Sequence, residues 1–293
     1  KLTHAHVKEL DERLGELPEG RTGFIFMPYV VFEHQDDDRT INSYNCPIVT
    51  AYSDVIRSAM TLQHRVESPV INFRDEPLLR KQILAFLKKH GVGKHTAEVA
   101  LTAALKAEQQ YTSQVKQRCE DILAQSRKDG KLTILLAGRP YHTDPLIQHK
   151  LSEMIAALGV NVISDDIVRT DEQTPSGDTC LVKQWAYMNR IIKSGQWCAE
   201  ESDDVHFVQM TSFGCGPDSF IQDEVRHILR EHGKPYTLLK IDDVSNLGSL
   251  KLRVRSLIES LRGQKGETEV QKTTCDVDSQ TADKVSDENS LPP

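Results

Sequence analysis

The stretch "KLTILLAG" (residues 131–138) decides the fold of this chain. Its short, partly β-branched apolar run is typical of a buried strand in a parallel sheet. From this strand to residue 263, patterns of strands and helices alternate along the sequence. Such alternation predicts a mostly parallel sheet with helices on both faces. We therefore predict that residues 131–263 form an α/β lobe.

The sequence before and after this lobe divides into two further parts. Residues 1–130 predict a second, less regular α/β lobe with long helices. Residues 264–293 are almost without apolar side chains and predict a disordered polar tail. The predicted fold class is α/β, with two Rossmann-like or flavodoxin-like lobes whose sheets are mostly parallel.

Composition excludes several classes of protein. The chain has 293 residues and a formal net charge of −7, so a nucleic-acid surface, which would be strongly basic, is not expected. No run of 18 apolar residues predicts a membrane span, and the charged first residues do not form a signal peptide. Because the chain does not begin with Met, we expect a piece of a longer chain or a trimmed one. Six widely spread cysteines favour a reducing cytoplasm over a disulfide scaffold.

A second stretch, "TSFGCGPDSF" (211–220), is the strongest candidate for chemistry. Cys215 lies between two glycines where a strand is followed by a helix, and a helix start favours the thiolate form of cysteine. Gly214 and Gly216 would let a bulky group approach the backbone, and Ser219 opens the helix beside it. The alternative is that Cys215 is a small buried residue in a tight turn.

Three other cysteines are weaker candidates for a metal site. Cys46 precedes Pro47 at the entry to a helix, while Cys180 and Cys198 lie at the two ends of a predicted helix over residues 179–200. Each of the three is also compatible with packing alone. No CxxC pair occurs, so a metal site must be assembled from distant loops.

The loop "GRPYHTDP" (138–145) follows the first strand and carries two polar candidates. Arg139 is suited to binding a carboxylate or phosphate, and His142 to acting as an acid, a base or a hydrogen-bond donor. A structural turn is the alternative. No GxGxxG or GxxxxGK[ST] motif occurs, so a dinucleotide site or P-loop of the usual kind is not inferred.

These stretches, together with "NCPIVTAYSDVI" (45–56), resemble the 2-hydroxyacyl-CoA (2-hydroxyglutaryl-CoA) dehydratase superfamily. The nearest branch is the dehydratase-like, C-terminal part of the large acyl-CoA dehydratase activase-related proteins. The resemblance implies a [4Fe–4S] cluster, or a double-cubane cluster in related members, held by cysteines from two lobes. It further implies an ATP-hydrolysing activase that supplies one low-potential electron, and a CoA thioester dehydrated through a ketyl radical.

Carried over by motif, the resemblance assigns Cys46 and Cys215 as cluster ligands and leaves Cys180 and Cys198 as candidates for the missing middle cysteine. A homodimer and an anaerobic, cytoplasmic setting are also expected. An ATP-coupled iron–sulfur reductase or electron carrier is the first alternative. A cluster-free module that binds acyl-CoA or the activase is the second, and a zinc site the third.

Overall fold

The computed structural model describes residues 2–170, 173–174, 182–212, 214–241 and 248–263. Two lobes, joined by one long helix, make up this part of the chain. The N-terminal lobe contains α1 (Leu2–Gly15), β1 (Ile25–Phe26), β2 (Tyr29–Phe32), α2 (Pro47–Thr50), α3 (Tyr52–Ala59), β3 (Val66–Glu67), β4 (Val70–Asn72) and α4 (Glu76–Lys89). The joining helix is α5 (Lys94–Lys128).

The C-terminal lobe is built around a four-stranded parallel sheet. The strand order is β6-β5-β7-β8, so the first strand of the lobe lies between the second and the third. In register, Leu135 of β5 pairs with Ile163 on one side and with Phe207 on the other. The elements are β5 (Thr133–Ala137), α6 (Leu151–Ala156), β6 (Asn161–Ser164), α7 (Ala186–Glu200), β7 (Val205–Thr211), α8 (Gly216–Glu231), β8 (Tyr236–Lys240) and a helix over residues 248–263, here α9.

Helices cover both faces of this sheet. All five residues of β5 are buried, as a strand covered on both faces requires. One apolar cluster joins the sheet to α5, α7 and α8, and a second joins the opposite face to α6 and α9. The predicted α/β class with mostly parallel sheets is therefore confirmed.

The N-terminal lobe carries a much smaller sheet. β1 pairs with β3 and β2 with β4, each pair parallel, and the lobe's buried apolar cluster is built around Val7, Ile25 and Ile56. Capping follows the sequence pattern in α4, where the carboxylate of Asp75 accepts a hydrogen bond from the backbone N–H of Leu78 at 2.9 Å.

Backbone pairing and buried charges connect the two lobes. The backbone N–H of Tyr44 donates to the carbonyl of Gln184 at 2.8 Å, and Ala186 N–H donates to the Tyr44 carbonyl at 3.0 Å. Arg190 on α7 binds the carboxylate of Asp36 at 2.7 Å. Since α5 packs in both lobes, the division at residue 130 stays a prediction.

Two helices begin later than the sequence pattern predicts. The sequence "LIQHKLSEMIAALG" (146–159) predicts a helix from residue 146, but α6 begins at Leu151 because His149 and Lys150 adopt positive φ angles of 53° and 58°. The helix predicted over 179–200 begins at Ala186, because residues 183–185 bond to the N-terminal lobe instead. The predicted tail lies outside the described residues. Within the described ranges, no helix is long and apolar enough to cross a membrane.

Candidate functional site

The loops singled out in the sequence meet at the edge of the sheet where the parallel strands end, called here the carboxyl edge. β5 and β7 are neighbours, and the chain leaves β5 toward β6 on one side and leaves β7 toward β8 on the other. Such a switch point opens a crevice at the carboxyl edge of a parallel sheet. Residues 138–145 follow β5 and residues 212–218 follow β7, so both loops border this crevice.

Arg139 contacts two residues of the segment that contains Cys215. Its Nε donates to Oδ1 of Asp218 at 3.1 Å, and its Nη2 donates to Sγ of Cys215 at 3.2 Å. The side chains of Arg139 and Asp218 are 8% and 2% exposed, so this ion pair is buried. Burial lowers the pKa of the Arg139 guanidinium, but the charge and hydrogen bonding of Asp218, together with smaller contributions from Cys215 and Tyr141, outweigh it and the net shift is upward. A permanent positive charge therefore lies against the Cys215 sulfur.

Asp218 is not the N-cap of α8. Both Asp218 and Ser219 are residue types that cap helices, but the helix begins at Gly216 and Cys215 is the cap residue. Asp218 lies in the first turn instead, where its second oxygen accepts a hydrogen bond from the hydroxyl of Thr211 at 2.9 Å. The carboxylate thus holds Arg139 and the end of β7 together.

His142 is fully buried and is a fixed hydrogen-bond donor. Its Nδ1 accepts from the backbone N–H of Arg139 at 3.1 Å, so the ring proton of the neutral imidazole is on Nε2. That Nε2 donates to the Ser212 hydroxyl oxygen at 3.0 Å. Burial lowers the pKa of His142 to about 4, which keeps the ring neutral near pH 7. Of the three roles expected for His142, this geometry favours the donor.

Gly138, the first residue after β5, lies next to both His142 and Asp165. A Cβ on Gly138 would lie 2.8 Å from Nδ1 of His142, so a side chain there would displace the ring. The Gly138 N–H donates to Oδ2 of Asp165 at 3.4 Å. Burial raises the pKa of Asp165 to about 7. Asp165 lies in the turn directly after β6, and no sequence signal marked this residue.

The glycines beside Cys215 face open space. A Cβ built on Gly214 or Gly216 meets no atom within 4 Å, and neither residue has a positive φ. Cys215 is a partly exposed free thiol, and the hydroxyl of Ser219 donates to its carbonyl at 3.4 Å. Neither backbone conformation nor packing requires glycine at these positions. The binding roles predicted for Gly214, Gly216 and Ser219 remain predictions.

Cys46 occupies a similar local position in the other lobe. It is a partly exposed free thiol that precedes α2, with Pro47 in the first turn. Its backbone N–H donates to Oδ1 of Asn45 at 2.9 Å, and Nδ2 of Asn45 donates to Glu33 at 2.9 Å. An uncharged amide therefore fixes this cysteine.

The contacts between the lobes bring Cys46 to the same side of the molecule as Cys215. Tyr44, two residues before Cys46, is bonded to the first residue of α7. α7 packs against α8, and a Cβ on Gly195 of α7 would lie 2.9 Å from Val225 of α8. Both helices begin at the carboxyl edge, where α8 carries Cys215. The two loop cysteines therefore lie toward the same edge of the sheet, and a shared site between them is a prediction.

The structure does not bring Cys198 to this edge. Cys198 is fully buried near the end of α7, where its thiol donates to the carbonyl of Val205 at 3.7 Å. Val205 begins β7, so the length of that strand separates Cys198 from Cys215. Burial raises the pKa of the Cys198 thiol to about 12. Cys180 lies outside the described residues.

A cavity of about 370 Å³ lies beside Cys46, between the lobes. Asn45 and Pro47, the neighbours of Cys46 in the chain, are part of its wall, and Trp185 at the start of α7 forms the opposite side. The sequence reasoning did not identify Trp185 or Tyr44, because the cavity arises from pairing between distant segments. Within the described residues, no three His, Cys, Asp or Glu side chains come together as a metal site.

Comparison with known proteins gives one match. The family model described as "CoA enzyme activase uncharacterised domain (DUF2229)" matches residues 1–168, more than half of the chain. The matched region covers the N-terminal lobe, α5 and the C-terminal lobe as far as the turn after β6. No curated protein and no solved structure gives a significant match. The match fits the resemblance to acyl-CoA dehydratase activase-related proteins.

Proposed function

Since the chain belongs to the CoA enzyme activase uncharacterised domain family, we propose that it is the iron–sulfur partner of an ATP-hydrolysing activase. It would take one low-potential electron and use it to dehydrate a CoA thioester, in the manner of 2-hydroxyacyl-CoA dehydratases. One observation carries this proposal. Two partly exposed cysteines, Cys46 and Cys215, each precede a helix with proline in its first turn, and the pairing of Tyr44 with the start of α7 brings the Cys46 segment toward the edge where α8 begins.

The residues present fit two ligand positions of a [4Fe–4S] or double-cubane cluster. Free, accessible thiols are the ligands that such clusters require. Cys46 and Cys215 would hold the group, and the remaining ligands would come from Cys180 or another chain. When bound, the cluster would supply low-potential one-electron chemistry at the crevice. The open space at Gly214 and Gly216 leaves room for a bulky group against the backbone.

The chain's own residues prepare the crevice electrostatically. Arg139 places a buried positive charge against the Cys215 sulfur, with Nη2 at 3.2 Å from Sγ. The Ser212 hydroxyl accepts from His142, so its own proton is available to the phenol of Tyr141 at 3.4 Å or to a substrate oxygen. A neutral His142 also adds no second positive charge beside Arg139. These residues bind and orient, and they leave the electron transfer to the cluster.

A cluster-free module that binds acyl-CoA or the activase is the second candidate. It is favoured by the lack of a three-residue metal-ligand group in the described part of the chain. Under this alternative, Arg139 and the start of α8 would bind an anionic group of the ligand. An ATP-coupled iron–sulfur reductase that is not a dehydratase shares the cluster and differs only in the substrate.

The test is iron and acid-labile sulfide content, with EPR, on anaerobically prepared protein. We expect iron in the wild type and its loss in both Cys46→Ser and Cys215→Ser. Cys119→Ala, a buried cysteine on α5, is the matched control and should retain the iron. A wild type without iron, or iron that survives both Ser variants, would overturn the proposal. Dehydration of a 2-hydroxyacyl-CoA with activase, ATP and a reductant then separates the dehydratase from the reductase.

A further inference from the structure

The cavity beside Cys46 has the size of a small-molecule site. Its volume of about 370 Å³ falls within the range of about 300–1,000 Å³ usual for ligand pockets. It opens next to a cysteine that the proposed function makes a cluster ligand. A group bound there would lie close to the reacting centre.

The walls of the cavity are apolar and aromatic. The rings of Tyr44 and Trp185 lie 6.2 Å apart at an interplanar angle of 57°, and Phe32 stacks behind Tyr44 at 4.7 Å. Val31 and Pro47 supply the rest of the apolar surface. Among the described residues, no charged side chain lines the cavity. A carboxylate bound here would lose hydration without gaining a positively charged partner.

Of the polar side chains in the wall, two are already used. The amide of Asn45 donates to Glu33 at 2.9 Å, and the hydroxyl of Thr50 donates to the Val30 carbonyl at 3.0 Å. The side-chain amide of Gln184 makes no hydrogen bond within the described part of the chain. The wall also carries the hydroxyl and the indole N–H of its two aromatic residues, so the cavity offers an apolar volume with neutral hydrogen-bonding groups, which matches an apolar body carrying a carbonyl.

We propose that this cavity binds an uncharged apolar or aromatic acyl group, with its carbonyl on Gln184, and excludes acyl groups that end in a carboxylate. As an assignment of substrate class the inference rests on the proposed function. The preference for an uncharged group rests on the cavity alone. A heteroaromatic base is the rival occupant, and the binding experiment tests it directly.

The fluorescence of Trp185 can report binding of a ligand in the cavity. The chain has two tryptophans, so Trp197→Phe leaves Trp185 as the single tryptophan. The probes are 3-phenylpropanamide, glutaramic acid and adenosine, whose amide or base groups do not exchange with thiols. We expect 3-phenylpropanamide to quench Trp185 and to bind at least about tenfold more tightly than glutaramic acid, a difference of about 1.4 kcal/mol. Gln184→Arg should reverse that order, and Gln184→Leu should weaken the amide probe without favouring the acid.

Three results would overturn the inference. They are tighter binding of glutaramic acid to the wild-type cavity, tighter binding of adenosine, and no quenching of Trp185 by any probe. The titration is run on protein with and without iron, so its outcome is separate from that of the iron analysis. Protein that contains no iron but prefers 3-phenylpropanamide would sink the proposed function and leave the preference of the cavity intact.

Discussion

Cys215 and Cys46 have similar local positions in different surroundings. Both precede a helix whose first turn contains proline. Cys215 lies against a buried arginine–aspartate pair at the end of a four-stranded sheet, whereas Cys46 is fixed by the uncharged amide of Asn45 beside a cavity. The difference indicates that the C-terminal lobe supplies charge to the crevice and the N-terminal lobe supplies room for a ligand.

The comparison of Cys215 with Cys46 also predicts how much the polar residues around each cysteine contribute to the stability of the protein. Buried charges at the Cys215 side cannot lose a partner without a large cost, because water does not replace it. The amide of Asn45 that fixes Cys46 is also buried, but it carries no charge. We therefore expect substitutions on the Cys215 side to affect stability most.

The largest effect is expected for Asp218→Ala. The variant leaves the guanidinium of Arg139 buried without a carboxylate and also frees the hydroxyl of Thr211. We expect a loss of about 3–5 kcal/mol in the free energy of unfolding, measured by urea titration. Asp223→Ala on the same helix is the control, since its carboxylate is 80% exposed and pairs only with Arg226 at 2.6 Å. That control should lose less than about 1 kcal/mol, and equal losses in the two variants would refute the comparison.

Asp165→Asn should change how stability depends on pH. Because burial raises the pKa of Asp165 from 3.8 to about 7, the folded protein holds a proton that the unfolded chain releases. The stability that this proton contributes is fully present below the pKa of the unfolded chain and is lost as pH rises through about 7. Between about pH 4 and about pH 8, wild type should lose up to about 4 kcal/mol more than the Asn variant.

The titration of the neighbouring histidine does not affect this difference between wild type and the Asn variant. The pKa of His142 is lowered from 6.5 to about 4, so the stability that this histidine contributes is lost as pH falls below 6.5. This pH dependence is opposite in direction to that of Asp165. Both proteins contain His142, so its effect cancels in the difference. Parallel stability curves for wild type and Asp165→Asn would contradict the account.

Gly138→Ala should have an intermediate effect. The added Cβ would lie 2.8 Å from Nδ1 of His142 and 3.3 Å from Cβ of Met210, so the buried ring has to move. We expect a loss of about 1–3 kcal/mol in thermal or urea unfolding. Gly214→Ala and Gly216→Ala, which meet nothing within 4 Å, should change stability by less than about 0.5 kcal/mol. A Gly138→Ala protein as stable as these two would show that Gly138 is not tightly packed against His142.

The smallest effect is expected on the Cys46 side, for Asn45→Ala. This change removes the acceptor for the Cys46 N–H and the donor to Glu33, with an expected loss of about 1–2 kcal/mol. Gln184→Ala, on the wall of the same cavity, should be nearly neutral. A loss for Asn45→Ala as large as that for Asp218→Ala would remove the distinction between the two sides.

The sequence predicted what depends on local pattern. The buried run at 133–137 is a central parallel strand because only apolar residues suit a strand covered on both faces. The loops holding Arg139, His142 and Cys215 lie at the carboxyl edge because parallel strands end together there. These features follow from neighbouring residues and from the chirality of βαβ units.

The sequence pattern did not predict the contacts between distant segments of the chain. The pairing of Tyr44 with Trp185 joins segments about 140 positions apart, and it shortens α7 and creates the cavity. The burial of Asp165 and the pairing of Asp218 with Arg139 likewise depend on which loops meet after folding. The positive φ angles of His149 and Lys150 arise in the turn before α6, where the composition favours helix.

Chemical cross-linking of Cys46 to Cys215 tests the central claim most directly. In protein carrying Cys180→Ser and Cys275→Ser, a short bismaleimide is added to the folded chain and the linked peptides are identified by mass spectrometry. We predict an intramolecular link between residues 46 and 215, with the buried thiol of Cys198 unmodified. Single labelling of both cysteines, with no link between them in folded protein, would contradict a shared site.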